Sequence, residues 1–235
     1  MLKSYLTNVW TDSAILNNQI LKSLIDSAKK AKILDLGCRT GELIIERVTA
    51  INKPEIYAVE IDQTHFKEIH KLGIKVIKTD IEKGLPYKNN YFDIISANQI
   101  IEHLVNVDYF MEEIYRVLKP NGYVLLSTEN LSSWHNLFAL LLGWQAFSQH
   151  ISTKKNIGNP LKLNLEVGGK SYDCHIKIFT PRGLYELAQI NNLKVEKRYG
   201  AGYYPLRGIL SRLLSKLDPT HSAFIGIKAR KIIGQ

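Results

Sequence analysis

The sequence predicts an α/β domain, a mostly parallel sheet covered by helices on both faces. Two observations carry this. Short, nearly continuous apolar runs recur through the first 130 residues, as strands buried on both faces require, and helical patterns separate them. The 235 residues are 45% hydrophobic and 23% charged, the balance of a folded domain rather than a disordered chain.

The elements follow in order. Residues 13–30 carry Ile15, Leu16, Ile20, Leu21, Leu24 and Ile25 at helical spacing, with Thr11, Asp12 or Ser13 as the cap. Strands are expected at 33–36, 56–61, 74–79, 92–97 and 123–128, and helices at 40–50, 62–72, 100–104 and 107–118. Lys119-Pro120-Asn121-Gly122 ends a helix and turns the chain into the next strand. The pattern then changes, since residues 131–153 contain no Asp, Glu, Lys or Arg. Their densest apolar part, 137–147, reads as a helix with Trp134 before it and Trp144 near its end. It is shorter than the roughly 20 residues that cross a bilayer, so it is buried or interfacial. Residues 154–174 read as loop or ragged strand, and Thr180-Pro181 caps and starts a helix to about Gln189. The end reads as a hairpin of 193–199 and 223–231 with a helix, 207–217, between its strands. This divides the chain into an N-terminal helix (1–30), a core (31–130), an insert or lid (131–178) and a closing segment (179–235).

Charge is unevenly placed. Residues 1–130 are close to neutral, net −1, whereas residues 131–235 carry net +10. Such a block suits an anionic partner or surface, or serves only solubility. Leu206, Ile209, Leu210, Leu213, Leu214 and Leu217 mark one face of the last helix, with Arg207, Arg212 and Lys216 off it. That face either packs on the sheet or lies transiently on an anionic membrane, where Trp134 and Trp144 also suit the boundary. The basic half lacks the dense Arg/Lys helix with interleaved aromatics that nucleic-acid binders show, so no nucleic-acid partner is expected. Cys38 and Cys174 are too few for a disulfide framework or a cysteine zinc site. The simpler expectation is a reducing, cytoplasmic setting, peripheral at the membrane where the chain docks on it. The first residues hold no apolar run of signal-peptide length.

The chemistry concentrates at the strand ends. The first strand runs through Asp35 into Gly37-Cys38-Arg39-Thr40-Gly41, a glycine-bearing turn that opens a helix and lets backbone approach a ligand. The dinucleotide pattern G-x-G-x-x-G is not met, because the glycines stand four apart with Arg39 between them. Glu60 closes the second strand, 19 residues after Gly41, where a carboxylate accepts ribose hydroxyls. Asp80 closes the third strand and Asn98 the fourth. Four successive strands therefore end in a glycine turn, Glu, Asp and Asn along one sheet edge.

These motifs make the chain similar to the class I S-adenosylmethionine-dependent methyltransferases, closest to the group containing the ubiquinone-biosynthesis O-methyltransferases and small-molecule enzymes of sugar and surface-polysaccharide pathways. The matching segments are DLGCRTGEL at 35–43, YAVEID at 57–62, KTDIEKGLPYKNNYFDII at 78–95, NQIIEHL at 98–104 and YRVLKPNGYVLLSTEN at 115–130, with HIKIFTPRGLYELAQINNLKV at 175–195 more loosely. The resemblance implies a Rossmann-like doubly wound sheet of seven strands in order 3-2-1-4-5-7-6, the last antiparallel. It implies S-adenosylmethionine as cofactor. Asp35 would stand near the cofactor's amino group or its water, with Gly37 and Cys38 under its methionine part and Gly41 closing the loop. Glu60 would hold the ribose, Ile61 would lie against the adenine, Asp80 would take the adenine amino group, Ile81 would offer a backbone N–H, and Asn98 would offer a backbone carbonyl. Many members carry Gly where this chain has Arg39, which is expected to point outward.

Methyl transfer needs close alignment and exclusion of water, and a hydroxyl acceptor needs a base. His103, just past the fourth strand, and His175, returning over the same edge, are the candidates for catalysis; the alternative for each is a structural hydrogen-bonding histidine. His65, His70, His135, His150 and His221 have no such placement. No His/Cys/Asp/Glu cluster has metal-ligand spacing, so no metal is expected. The absence of an Asn-Pro-Pro-aromatic segment argues, by family resemblance, against methylation of adenine or glutamine amino groups. The expected acceptor is therefore small or amphiphilic, or lipid- or sugar-linked, under an apolar lid, and the expected reaction is O-methylation by a monomer or homodimer. Alternatives are N-methylation of a small molecule, a cofactor-binding scaffold without turnover, and an NAD- or nucleotide-sugar-binding enzyme, against which the missing third glycine speaks.

Overall fold

The computed structural model describes residues 2–161 and 174–232. A seven-stranded sheet runs in the order β3-β2-β1-β4-β5-β7-β6. The parallel strands are β1 (Ala28–Leu36), β2 (Ile51–Glu60), β3 (Lys75–Lys78), β4 (Phe92–Asn98) and β5 (Leu118–Glu129). The strand β7 (Phe224–Lys231) pairs antiparallel with both β5 and β6 (Leu193–Ala201). The order of strand addition reverses at β1, with β2 and β3 on one side and β4 and β5 on the other, so the carboxyl ends of the parallel strands β1 and β4 lie at a topological switch point, where such sheets open a ligand crevice.

Period-two alternation along the strands separates two cores. Leu34, Leu36, Val59, Ile95, Ala97, Val124 and Leu126 face helices α4 (Val107–Val117) and α6 (Pro181–Ile190), meeting Phe110, Ile114, Leu184 and Leu187. Ile33, Ala58, Val76, Ile94 and Leu125 face α1 (Leu2–Ser23), α2 (Glu42–Arg47) and α3 (Phe66–Lys71), meeting Leu21, Ile44 and Ile69. The α6 cap is as expected, Thr180 Oγ1 accepting from Gly183 N at 3.1 Å with Pro181 in the first turn.

Several expected boundaries are corrected. The first helix starts and ends earlier than 13–30. Thr11 and Ser13 do not cap it but sit inside it, their hydroxyls donating to the carbonyls of Thr7 and Val9, four residues back. The charged residues Lys29, Lys30 and Lys32 belong to β1, which is longer than its apolar part. The helix at 40–50 is α2 followed by a 3-10 turn, Val48–Ala50. The 62–72 segment is helical only over α3, and 100–104 is a 3-10 turn, Ile101–His103. Lys119-Pro120-Asn121-Gly122 is a bulge within β5: Leu118 pairs with Phe92 and Tyr123 with Ile94. The insert helix α5 (Trp134–Leu141) begins with Trp134 and ends before Trp144.

The last helix, α7 (Gly208–Leu217), does not pack its leucines on the sheet. It buries Ser211 and Ser215, and Ser211 Oγ accepts from Tyr203 N at 2.9 Å, while Ile209, Leu210, Leu213 and Leu217 are exposed. Among the described residues no helix is long and apolar enough to cross a membrane.

Beneath the crevice lies a polar layer on the α1–α2 face. Arg47, 2% exposed, places its guanidinium 3.8 Å from Asp35, donates to Ser96 Oγ at 2.9 Å and to Asn18 Oδ1 at 2.5 Å. Burial raises the Asp35 carboxyl to about 6 despite the adjacent guanidinium. Removing one partner of such a pair strands a buried charge. Arg47→Ala is expected to cost about 3–5 kcal/mol, read by urea unfolding, with Arg47→Ala/Asp35→Asn recovering a large part of the loss.

Candidate functional site

The loop after β1 is built on left-handed backbone. Gly37 (φ 70°) donates its N–H to Val59 O at 3.0 Å, and a Cβ there would stand 2.9 Å from Ile100 Cδ1. Gly41 (φ 79°) donates to Cys38 O at 2.8 Å and leads into α2. Cys38 is buried in the core, and burial pushes its thiol well above its usual range, so it is packing rather than a nucleophile. Arg39 is exposed and also adopts φ 51°, a region that costs an L side chain about 1–2 kcal/mol.

Glu60 does more than the sequence reading assigned it. Its Oε2 accepts from Arg39 N at 2.9 Å, and its Oε1 accepts from Ile61 N at 2.8 Å and Asp62 N at 3.0 Å. One carboxylate thus ties the β1–α2 loop to the β2–α3 loop. Asp80 caps the 3-10 turn Ile81–Lys83, accepting from Glu82 N at 3.1 Å, with Lys83 at 3.5 Å. Ile81 is buried beneath it and Ile61 is exposed. Asn98, at the end of β4, accepts from Asn17 Nδ2 at 2.8 Å. Asn17 Oδ1 also accepts from Ser127 Oγ at 3.0 Å and Tyr199 Oη at 2.9 Å, which fastens α1 across β4, β5 and β6. Asp35, Gly37, Glu60, Asp80 and Asn98 therefore stand at or just beyond four neighbouring strand ends: glycines that admit close backbone approach, and carboxylates and an amide that suit an amino group, a ribose and an aminopurine. This donor set fits S-adenosylmethionine.

A second group of side chains adjoins the glycine loop through Ile100, which touches Gly37 and precedes the 3-10 turn. The rings of His103 and His175, 72 residues apart in the chain, lie 4.8 Å apart. His103 Nδ1 donates to Cys174 O at 3.1 Å, and His175 Nδ1 donates to Ser148 O at 2.8 Å. Carbonyls only accept, so both Nδ1 atoms carry the proton. Burial pushes His103 down to about 4 and lowers His175 as well, leaving both neutral.

Two members of this group were missed from sequence. Glu102 is fully buried; its Oε2 accepts from Thr128 Oγ1 at 2.9 Å, its Oε1 has no hydrogen-bond partner, and burial raises the carboxyl to about 8. Its backbone carbonyl accepts from Ile176 N at 2.7 Å and Lys177 N at 3.1 Å, holding the His175 segment in place. His150, expected to stand apart, meets His175: its Nδ1 accepts from His175 N at 3.1 Å. One ligand atom each from Glu102, His103 and His175 lies within 4.8 Å of the others, which corrects the expectation that no such cluster exists. Only the adjacency of Glu102 and His103 was visible in the sequence; the fold supplies the third member.

Fold and crevice define a class I S-adenosylmethionine-dependent methyltransferase, and the comparisons agree. The chain belongs to the family whose model is described as a methyltransferase domain, which matches residues 15–198. It is 28% identical over 191 residues to a ubiquinone biosynthesis O-methyltransferase of Bartonella bacilliformis, covering 77% of this chain and 67% of that protein. To the mitochondrial ubiquinone biosynthesis O-methyltransferase of Rattus norvegicus it is 25% identical, covering 75% of this chain but about half, 48%, of the relative's length. Among solved structures, an S-adenosylmethionine-dependent methyltransferase from Mesorhizobium loti superposes with TM-score 0.61 at 13% identity, over 91% of this chain and 96% of that one. One from Aquifex aeolicus gives 0.57 at 15% identity, over 92% and 89%.

The loop geometry separates two substitutions. Arg39→Gly removes the left-handed strain and adds unfolded-chain freedom, for a net gain of zero to about 1 kcal/mol. Gly37→Ala adds a Cβ against Ile100 at φ 70° and is expected to lose about 1–2 kcal/mol. Chemical denaturation of the two variants checks both.

Proposed function

We propose that this protein transfers a methyl group from S-adenosylmethionine to a hydroxyl of a small or amphiphilic acceptor. The observation that carries this is the pair of neutral imidazoles beside the glycine loop. With Nδ1–H committed to a backbone carbonyl in each, Nε2 of His103 and of His175 keeps a lone pair that can take the acceptor's proton. The relatives' printed names, ubiquinone biosynthesis O-methyltransferases, support a hydroxyl on a lipid-like small molecule as the acceptor.

The cofactor, when bound, supplies a methyl group on a positively charged sulfur. In this proposal Glu60 accepts from the ribose hydroxyls, Asp80 and the Ile81 N–H read the adenine, and Ile61 packs against it. Asp35, Gly37, Cys38, Gly41 and the Asn98 carbonyl form the methionine end. Helix α1 covers the crevice, fastened by Asn17, and residues 131–178 form the acceptor lid; residues 162–173 of that lid lie outside the described residues. The buried Glu129, raised to about 7 and bonded by Ser148 Oγ at 2.8 Å, ties the lid to the end of β5.

The setting we propose is cytoplasmic, with transient docking on anionic membrane to reach an amphiphilic acceptor. Exposed apolar side chains of α5 (Phe138, Leu141) and α7 (Ile209, Leu213, Leu217) support this. The two helices are linked: Trp134 Nε1 donates to Tyr203 Oη at 2.6 Å, and Tyr203 Oη donates to Asp218 at 2.7 Å. Arg212 and Lys216 flank the apolar row.

Turnover tests the reaction itself. Labelled S-adenosylmethionine offered with phenols, aliphatic alcohols and their amine counterparts is expected to label hydroxyl compounds, and His175→Ala is expected to lower kcat by about 10²–10⁴. Labelling of amines alone overturns the hydroxyl assignment, and cofactor binding without any labelled product overturns the enzyme reading. Glu60→Ala is expected to weaken calorimetric binding of S-adenosylhomocysteine by about 1.5–3 kcal/mol. For docking, the protein is expected to sediment with anionic but not neutral vesicles and to be released by salt. Ile209→Asp/Leu213→Asp is expected to weaken that binding more than about tenfold, since each apolar side chain contributes about 1.5–3 kcal/mol when fully buried. Protein left in the supernatant with anionic vesicles at low salt removes the membrane from the proposal.

A further inference from the structure

We propose that Glu129, Asn136 and Ser148 are positioning residues for the imidazole base His175, so that seating the lid on the end of β5 is what aims the base. This role rests on the proposed hydroxyl methylation, in which Nε2 of His175 takes the acceptor's proton. The bond that orients the His175 ring runs from Nδ1–H to Ser148 O at 2.8 Å. The direction of that carbonyl therefore sets the tautomer and the direction of Nε2. Ser148 stands 27 residues before His175, in the lid and outside any helix or strand. A carbonyl in such a turn has no ladder to hold it. Side chains hold it instead. Ser148 N donates to Asn136 Oδ1 at 3.1 Å, Asn136 Nδ2 donates back to Ser148 Oγ at 3.0 Å, and Ser148 Oγ donates to Glu129 Oε2 at 2.8 Å. Asn136 Nδ2 also donates to Asn130 O at 2.9 Å, which fastens α5 to the chain leaving β5. Glu129, Asn136 and Ser148 are all buried, so water offers no substitute for these bonds.

A carboxyl is an expensive choice at this place. Burial raises Glu129 to about 7 against the bonds from Ser148 and Trp10, and an apolar side chain would avoid that cost. What an apolar side chain lacks is the acceptor for Ser148 Oγ–H. Without that acceptor the buried hydroxyl turns to find another, and the Ser148 carbonyl turns with it. The main chain at His175 is fixed separately. His175 N donates to His150 Nδ1 at 3.1 Å, His150 N donates to His175 O at 3.2 Å, and Ile176 N donates to Glu102 O at 2.7 Å. With the backbone held, rotation of the imidazole is what Ser148 decides. Glu129 acts here through an acceptor oxygen, which it keeps whether or not it is ionised. The amide of glutamine can therefore replace it, and leucine cannot.

The full chain, isotope-labelled at its histidine nitrogens and saturated with S-adenosylhomocysteine, reports the His175 tautomer in nitrogen–proton correlation spectra, with His175→Ala identifying the signal. The phenol or alcohol labelled in turnover reports kcat and KM. Wild type is expected to carry the His175 proton on Nδ1. Glu129→Leu is expected to shift part of the population to Nε2–H and to lower kcat about tenfold to a hundredfold, with KM changed less than about twofold. Glu129→Gln is expected to recover the Nδ1–H form and most of kcat. Near-ultraviolet circular dichroism establishes folding. Where Glu129→Leu does not fold, Ser148→Ala, which removes one hydroxyl and keeps the carbonyl, takes its place. A wild-type tautomer or a wild-type kcat in the folded variant overturns the positioning role, as does a Glu129→Gln enzyme as slow as Glu129→Leu. The two proposals fail separately. A displaced tautomer in the variant, with no hydroxyl compound labelled by the wild type, keeps the orienting contact and removes O-methylation. Hydroxyl labelling with the tautomer unmoved keeps O-methylation and removes the positioning role.

Discussion

A guanidinium held out of water governs the architecture of the crevice. Arg47, at the end of α2, is buried under the sheet's carboxyl edge and meets Asp35 of β1, Ser96 of β4 and Asn18 of α1. A buried charge of this kind is tolerable only when its partners are all in place. One side chain therefore sets the positions of the strand that leads into the glycine loop, the strand across the switch point and the covering helix. Asn18 extends the network by donating to Glu46 at 2.8 Å, and Asn17 beside it holds Asn98, Ser127 and Tyr199. Correct seating of α1 and correct shape of the crevice are one event.

The same logic explains the loops above. Glu60 spends its carboxylate on three backbone N–H groups, so the loops that would receive a cofactor are held in register with each other. Arg39 tolerates a left-handed backbone because its N–H is one of those three donors. Backbone strain at this position is offset by a charge-assisted bond rather than by a glycine.

At the acceptor side the chain departs from ordinary core construction. Glu102, His103, His150 and His175 gather in a space that an economical core would fill with leucine. Further out, α7 buries Ser211 and Ser215 and leaves its aliphatic row outside, while α5 buries Asn136 and Ala139 and leaves Phe138 and Leu141 outside. Both departures oppose the hydrophobic driving force locally, and departures of that kind concentrate where a protein meets a ligand or surface.

Sequence alone determined the strands β1 to β5, the glycine turn, and Glu60, Asp80 and Asn98 at successive strand ends. Their apolar stretches are legible because a strand segment buried on both faces must be apolar, and because a chain leaving it must become polar where the cover stops; the charged entry of β1, Lys29, Lys30 and Lys32, is not legible in this way. Helix boundaries were less legible. Thr11 and Ser13 have the chemistry of caps, and only the presence of carbonyls four residues back decides that they bond inward. Tertiary structure alone decided three things: that His175 returns to Glu102 and His103, that the basic helix presents its leucines outward, and that Arg47 is the buried centre of the crevice. Each depends on contacts between segments distant in the chain. Periodicity reports which side chains share a face, but not what that face meets; the packing of α7 through Ser211 and Ser215 is set by the neighbouring Tyr203, not by the helix's own pattern.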